Sequence, residues 1–92
     1  MIRLISTLEK ITKLLLSVEE KNWYTAFKEF RDRCDQKNER EVKLLKSDIL
    51  RIYGGMGSFS DLVLYSKGQV LIDENQKLED LRKELFEIVK TR

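Results

Sequence analysis

Histidine is absent from this 92-residue sequence, and with it the side chain that most often acts as a general base near neutral pH. Cysteine occurs once, at Cys34, so the chain can form neither an internal disulfide nor a zinc site with several cysteine and histidine ligands. Cys34 also falls on an apolar helical stripe, which favours a buried structural thiol over a nucleophile. We therefore predict that the protein is not an enzyme and has no catalytic residues, no metal and no cofactor.

Proline is absent as well, so long helices are possible throughout the chain. Long hydrophobic runs are also missing, and no apolar segment approaches the ~18 residues that a membrane-spanning helix requires. The opening segment MIRLISTLEK mixes apolar with charged residues and lacks the features of a signal peptide. Together with the unpaired cysteine, these absences predict one soluble cytoplasmic domain over residues 1–92 that does not bind membranes.

Neither sign of charge is in large excess, because 18 basic and 16 acidic side chains give a formal net charge of +2. Nucleic-acid binding usually needs a strongly basic face, so the balance predicts no nucleic-acid partner. Basic residues between positions 31 and 46 leave weak binding open as an alternative, although acids alternate with them. The segment Asp73–Glu87 differs, since its six acids against three bases would place an acidic strip on a helix.

Apolar residues recur every three or four positions in the first part of the chain, which is the spacing of a helix with one buried face. The first helix is predicted from about Ile2 to Val18. Its apolar face is wide, so it is either deeply buried or shared with a second copy in a homo-oligomer. The residues that define this face are Leu4, Leu8, Ile11, Leu15 and Val18, with Ile5, Leu14 and Leu16 beside them.

Two further helices follow in the middle of the chain. Asn22 is predicted to cap the second helix, because its side-chain oxygen can accept a free backbone N–H. The third helix is predicted to end at Tyr53, with Gly54 or Gly55 in the left-handed conformation that often terminates helices. The inward positions are Trp23, Ala26, Phe27, Phe30 and Cys34 in the second helix, and Val42, Leu45, Ile49 and Ile52 in the third.

The segment LVLYSKGQVLI predicts a small β-hairpin, with strands at residues 62–65 and 69–72 and the connection SKG. A short irregular helix continuing from Ser58 is the alternative. A last helix is predicted to begin at Asp73 or Asn75, with Leu78, Leu81, Leu85, Ile88 and Val89 inward. The expected fold is mainly α, a compact four-helix domain with a small β-hairpin before the last helix.

Three of the four glycines lie within Gly54–Gly57, between a helical and a strand-like stretch. No lysine follows them as in a Walker motif, and the order of helix, glycines and strand is opposite to that of a dinucleotide fingerprint. A phosphate site is therefore disfavoured. The pattern instead predicts a shaped corner of the fold, with Ser58, Ser60 or Asp61 bonding to loop amides.

The segment YGGMGSFSDLVL, from Tyr53 to Leu64, is more specific than a turn requires. It resembles the motif YGGMGSFNDLVL of a family of small, mostly helical bacterial proteins, with Ser60 in place of asparagine. A looser pattern of the same family continues at Asn75, Leu78, Leu81, Arg82 and Leu85. Domains of this kind are similar to immunity proteins that accompany contact-dependent or polymorphic toxins.

The resemblance implies a cytoplasmic protein that binds and neutralises a cognate toxin domain, often a nuclease, without catalysis. Acids of the last helix would then pair with basic residues of the toxin, and the loop would contribute further contacts. Phe59 would be the apolar anchor if it is exposed, whereas in the alternative Met56 and Phe59 tuck back as plugs of the corner. The candidate partner-binding residues are Asp73, Glu74, Asp80, Glu84 and Glu87 on the helix, and Met56, Ser58, Phe59 and Asp61 in the loop. The alternative is a structural module that self-associates through the first helix.

Overall fold

A computed structural model describes residues 2–35, 38–54 and 57–90 of the protein. Within these ranges the chain forms the helices α1 (Ile2–Ser17), α2 (Lys21–Arg33), α3 (Glu39–Arg51) and α4 (Ile72–Val89). A 3₁₀ turn at Phe59–Asp61 and the strands β1 (Tyr65–Ser66) and β2 (Gln69–Val70) lie between α3 and α4. The prediction of a mainly α fold with a hairpin before the last helix is confirmed. The irregular-helix alternative also has a counterpart, because the 3₁₀ turn follows Ser58 directly.

The hydrophobic core lies between α1 and the helices packed against it, α2 and α4, while α3 packs on α4 and α2. The wide apolar face of α1 is largely used within the same chain. Its exposed large apolar residues are Ile2 near one end and Leu16 near the other. The buried apolar side chains are Leu4, Leu8, Ile11, Leu15, Phe27, Phe30, Cys34, Leu45, Ile49, Phe59, Leu64, Leu78, Leu85 and Val89.

The helix ends differ from the predicted caps. Asn22 is not the cap of α2, because the helix begins at Lys21 and its N-cap is Glu20. The preceding turn contains Glu19 with a φ of 59°, a left-handed residue that ends α1 and sets the start of α2. Asn38, which the sequence analysis did not single out, caps α3 by accepting a hydrogen bond from the N–H of Arg40 at 2.8 Å.

The left-handed residue predicted after α3 is not at Gly54. The helix ends at Arg51, and Gly57 is the glycine of this loop with positive φ, at 72°. Gly55 lies outside the described residues. Phe59 donates its N–H to the carbonyl oxygen of Ile52 at 2.8 Å, which satisfies a carbonyl group at the end of α3.

The hairpin is shorter and tighter than predicted. Ser66 pairs with Gln69, so the connection is the two residues Lys67 and Gly68 rather than SKG. Their φ values of 52° and 78° are those of a type I′ turn, which matches the twist of antiparallel strands. No helix formed by the described residues is long and apolar enough to cross a membrane.

Candidate functional site

Arg82 fastens to α4 the described part of the motif segment that lies at residues 57–64, which we call the motif loop. Its Nη1 donates hydrogen bonds to the carbonyl oxygens of Phe59 at 2.8 Å and Leu62 at 2.9 Å. Its Nη2 donates to Glu79 Oε2 at 2.8 Å, and this hydrogen bond lowers the pKa of Glu79. The side chain is only 13% exposed. Arg82 therefore provides a side-chain donor to both carbonyl groups, of which that of Phe59 also accepts from the N–H of Leu62 at 3.3 Å.

Tyr53 closes the same corner from the end of α3. Its hydroxyl donates to the carbonyl oxygen of Arg82 at 2.8 Å, and its own carbonyl accepts from Ser60 Oγ at 2.7 Å. Burial raises the pKa of Tyr53 well above its usual range, so the phenol remains a donor at physiological pH. The predicted bonding to a loop amide is confirmed for Asp61, which accepts from the N–H of Gly57 at 3.2 Å, whereas Ser60 bonds to a carbonyl oxygen.

Phe59 is the inward plug that the sequence analysis allowed and is not an exposed anchor, because its side chain is 0% exposed. The 3₁₀ turn directs the ring inward, where its centroid lies 4.7 Å from Phe27, 5.4 Å from Trp23 and 5.7 Å from Tyr53. The guanidinium of Arg82 lies 5.7 Å from the same ring centroid. Phe59 is therefore the plug around which the motif loop is built.

Asn75 fixes the hairpin to the first turns of α4. Neither Asn75 nor Asp73 caps that helix, which begins at Ile72 with Leu71 as its N-cap. Its Oδ1 accepts from the N–H of Leu64 at 2.8 Å. Its Nδ2 donates to the carbonyl oxygens of Leu64 at 2.9 Å and Leu71 at 2.7 Å. The strand pairing stops at Leu64 because Asn75 takes the N–H that the ladder would use next.

Replacing Asn75 with alanine is expected to lower the free energy of unfolding by about 2 kcal/mol, since the buried N–H of Leu64 loses its acceptor. Urea denaturation followed by circular dichroism measures the change. Gln76→Ala is the matched control, because the amide of Gln76 bonds on the surface to Asp80 of the same helix. Equal losses in the two variants would contradict the role given to Asn75.

The two sides of the hairpin segment differ in what covers them. Leu64 is buried and Leu62 and Leu71 are half-buried against the core. Val63, Tyr65, Val70 and Ile72 form what we call the outer hairpin face, and their side chains are exposed to solvent. The exposed fractions of these side chains are 43% for Val63, 56% for Tyr65, 51% for Val70 and 79% for Ile72. Tyr65 and Val70 are cross-strand partners, so the apolar patch is continuous across the hairpin.

A cleft of about 290 Å³ opens beside β1, and we call it the hairpin cleft. Its lining joins the start of α2 to the motif loop and the first strand: Trp23, Gly57, Ser58, Asp61, Leu62, Val63 and Tyr65. Ser58 Oγ is buried without a hydrogen-bond partner among the described residues. The cleft therefore brings together two of the predicted loop residues, Ser58 and Asp61. Met56 lies outside the described residues.

The predicted acidic residues of α4 do not form one uninterrupted acidic face. Helical geometry places Asp73, Asp80, Glu84 and Glu87 on one side, while Glu74 lies about 100° around the axis from Asp73. Glu84 accepts a hydrogen bond from the buried Thr7 of α1 at 2.7 Å, Asp80 accepts one from Gln76, and Glu87 pairs with Lys90 at 2.8 Å.

Lysines also border this strip. A groove of about 530 Å³ between α1 and α4 is lined by Lys10, Lys13, Leu14, Ser17, Lys77, Asp80 and Leu81. Three of the four charged side chains in that groove are therefore basic, which offsets the field of the acids near Asp80. The strip remains a prediction of the sequence analysis.

Carboxylates and Cys34 are the side chains that could bind a metal or act as a nucleophile. The part of the chain that the structure describes holds no group of three or more His, Cys, Asp or Glu residues placed to bind a metal. Cys34 is buried, its thiol donates to the carbonyl oxygen of Phe30 at 3.5 Å, and burial raises its pKa. The prediction that the Cys34 thiol is buried is confirmed.

Sequence reasoning missed the parts played by Arg82, Asn75 and the outer hairpin face. Arg82 and Asn75 occur in the family pattern. Their partners before the hairpin, Leu64 for Asn75 and Phe59 and Leu62 for Arg82, lie 11 to 23 positions away, which no helical spacing reveals. A signal for the outer hairpin face was present. The predicted strands at residues 62–65 and 69–72 carry large apolar residues at successive positions instead of alternating with polar ones, although only one side faces the core.

Comparison with known proteins places the chain in a family but not beside a characterised relative. No curated protein and no solved structure matches it significantly. A family model described as a domain of unknown function, DUF6966, matches residues 16–72. The match includes the motif loop, the hairpin and every residue that lines the hairpin cleft, and it ends at the first residue of α4. Because more than half of the chain is matched, the protein belongs to the DUF6966 family.

Proposed function

We propose that this domain is a non-catalytic binding protein that neutralises a cognate bacterial toxin domain by covering part of its surface. The observation that carries the proposal is the outer hairpin face, where four large apolar side chains stand exposed on the hairpin strands (Tyr65 and Val70) and close to their ends (Val63 and Ile72). Contiguous exposed apolar patches on small soluble proteins commonly mark sites of protein interaction. The toxin as partner is suggested by the likeness of the motif YGGMGSFSDLVL to immunity proteins.

The rigidity of the corner supports a role in binding. Association costs free energy when loops and side chains must first become ordered, so a pre-formed surface binds more tightly than a mobile one. The hairpin is held from behind by Asn75, and the motif loop is held by Arg82 and Tyr53. Tyr65 adds a large, stiff side chain of the kind that often dominates interface energies.

Charge around the patch supports a basic partner. Residues 57–76 contain Asp61, Asp73 and Glu74 against the single base Lys67, a net charge of −2, whereas the rest of the chain carries +4. An apolar patch with an acidic border is complementary to an apolar patch with a basic border. Toxins that cleave nucleic acids need basic surfaces to hold their substrate, which agrees with the nuclease implied by the resemblance.

The Tyr65→Ala variant tests this proposal. We expect it to weaken partner binding by about 2 kcal/mol, a roughly thirtyfold rise in Kd, because a central aromatic contact is lost. The partner is first captured from source cells with tagged protein and identified by mass spectrometry. Affinity is then measured by interferometry with both purified proteins, and neutralisation by growth of cells that express the captured toxin.

Leu44→Ala is the matched control, because Leu44 is 47% exposed and lies on α3, which contributes no residue to the hairpin cleft or the outer hairpin face. Asp80→Lys tests the acidic strip separately without disturbing the bond between Thr7 and Glu84. If Tyr65→Ala binds and neutralises like the unmodified protein while Asp80→Lys fails, the acidic strip is the binding surface and the hairpin is not.

A further inference from the structure

We infer that the partner contributes an extended segment that adds as a third strand to the outer edge of β1, within the hairpin cleft. The inference rests on the proposed function and specifies how the partner is held. Strand addition of this kind draws affinity from main-chain hydrogen bonds and specificity from pockets for alternate side chains. The main-chain groups along one edge of β1 can supply the hydrogen bonds, and the hairpin cleft can supply the side-chain pockets.

The main-chain groups of Leu64 define which edge is free. The N–H of Leu71 donates to the carbonyl oxygen of Leu64 at 3.0 Å, and the N–H of Leu64 is taken by Asn75. Both groups of Leu64 therefore point toward β2 and α4. Since main-chain groups alternate in direction along an extended strand, those of Val63 and Tyr65 point to the opposite edge. Within the described residues, no hydrogen bond occupies that edge of Val63 and Tyr65.

The cleft lies along this same edge, because Val63 and Tyr65 both line it. Trp23 and Leu62 give it apolar walls, which suit the side chains of an added strand that point toward the core. Ser58 Oγ, which is buried and has no hydrogen-bond partner among the described residues, offers a further hydrogen bond to an incoming main chain or side chain. An unpaired buried hydroxyl is unfavourable, and a ligand that satisfies it removes that cost.

Charge defines the chemistry of the added segment. Asp61 is the charged side chain of the cleft, and no basic residue accompanies it among the described lining residues. An added strand whose inward apolar residues alternate with lysine or arginine would match both the apolar walls and the carboxylate. The occupant is therefore an extended, basic and apolar segment of the partner.

Proline at position 63 tests the main-chain part of the inference. Val63→Pro removes one outward N–H, and edge positions with a solvent-facing N–H tolerate proline. Leu62 already has φ −66° and ψ 127°, a conformation that a residue before proline favours. Val63→Ala is the control, because it trims the side chain and keeps the N–H. Thermal melts establish that each variant is folded before binding is measured.

The probe is the capped heptapeptide Val-Lys-Val-Lys-Val-Lys-Val, titrated into isotopically labelled protein. We expect shifts centred on the amides of Val63 and Tyr65 and slower hydrogen exchange at Tyr65. We expect binding about tenfold weaker in Val63→Pro and about threefold weaker or less in Val63→Ala. Replacement of the peptide's lysines with glutamates should also weaken binding, because Asp61 would then face like charge.

Equal binding of the peptide by Val63→Pro and the unmodified protein, or shifts that fall elsewhere, would overturn strand addition. Dimerisation of the protein that Val63→Pro abolishes would assign the edge to a second copy and overturn it too. The captured partner separates the two proposals. If Tyr65→Ala loses that partner and Val63→Pro keeps it, the hairpin binds without strand addition; if both keep it, the proposed binding surface fails as well.

Discussion

Replacing Phe59 with alanine is expected to lower the free energy of unfolding by about 3–5 kcal/mol, the largest effect anticipated from any single change discussed. The ring is fully buried and contacts the rings of Trp23, Phe27 and Tyr53. Its removal leaves a void bounded by side chains from α2 and α3, which the surrounding structure can fill only in part. A domain of this length has a total stability of about 5–14 kcal/mol, so the variant would be marginal.

Chemical denaturation measures this effect, and the slope with denaturant shows whether unfolding remains two-state. Phe86→Ala is the control, because Phe86 is 40% exposed and its ring packs on Tyr53 at 5.4 Å. We expect a loss of about 1 kcal/mol there. A loss in Phe59→Ala as small as that in Phe86→Ala would contradict the view that Phe59 is the plug of the motif loop.

The Arg82→Met variant is expected to lower the free energy of unfolding by about 3 kcal/mol. Methionine fills much of the space of the arginine stem but donates no hydrogen bonds. The carbonyl group of Leu62 therefore loses the donor that Arg82 provides, and that of Phe59 keeps the longer bond from the N–H of Leu62. The aliphatic contact is retained, so the loss reports mainly on the polar bonds. Denaturation gives the magnitude, and amide hydrogen exchange should show the loss of protection concentrated in the motif loop.

Glu79→Gln is the control for Arg82, since the amide can still accept a hydrogen bond from the guanidinium. We expect less than about 1 kcal/mol, because the Glu79 side chain is 44% exposed and exposed ion pairs contribute little. The pKa of Glu79 is lowered in the fold, so its contribution is present at neutral pH and is lost as the pH falls through the lowered value. If Arg82→Met and Glu79→Gln lower the free energy of unfolding equally, Arg82 stabilises the fold through its ion pair with Glu79 and not through its bonds to the carbonyl groups.

The helices could be predicted from the sequence because an apolar period of three to four residues depends only on local geometry. The stripe from Phe27 to Cys34 and the face from Leu4 to Leu15 are buried as the spacing requires. Helix ends were less predictable. Several residues near each end can act as caps, and the choice between Glu20 and Asn22 depends on the left-handed turn at Glu19, which the composition does not reveal.

The candidate site was predictable only in part, because its residues meet through contacts between distant positions. Ser58 and Asp61 line the hairpin cleft, yet Trp23 reaches the same cleft from a different helix. The inward direction of Phe59 follows from a three-residue turn that has no sequence period. Similarly, Asp80 and Glu84 do share one side of α4, but the hydrogen bond from Thr7 to Glu84 could not be inferred from charge alone.

That hydrogen bond joins positions 77 residues apart, and it belongs to the packing of α1 against α4. On the ribosome, α1 is made before α4, which is one of the two helices that cover its apolar face. The nascent chain must therefore carry a partly bare α1 until the segment up to Val89 has emerged. We expect the native core to close only after α4 has emerged, which makes α1 a point of contact for chaperones during synthesis.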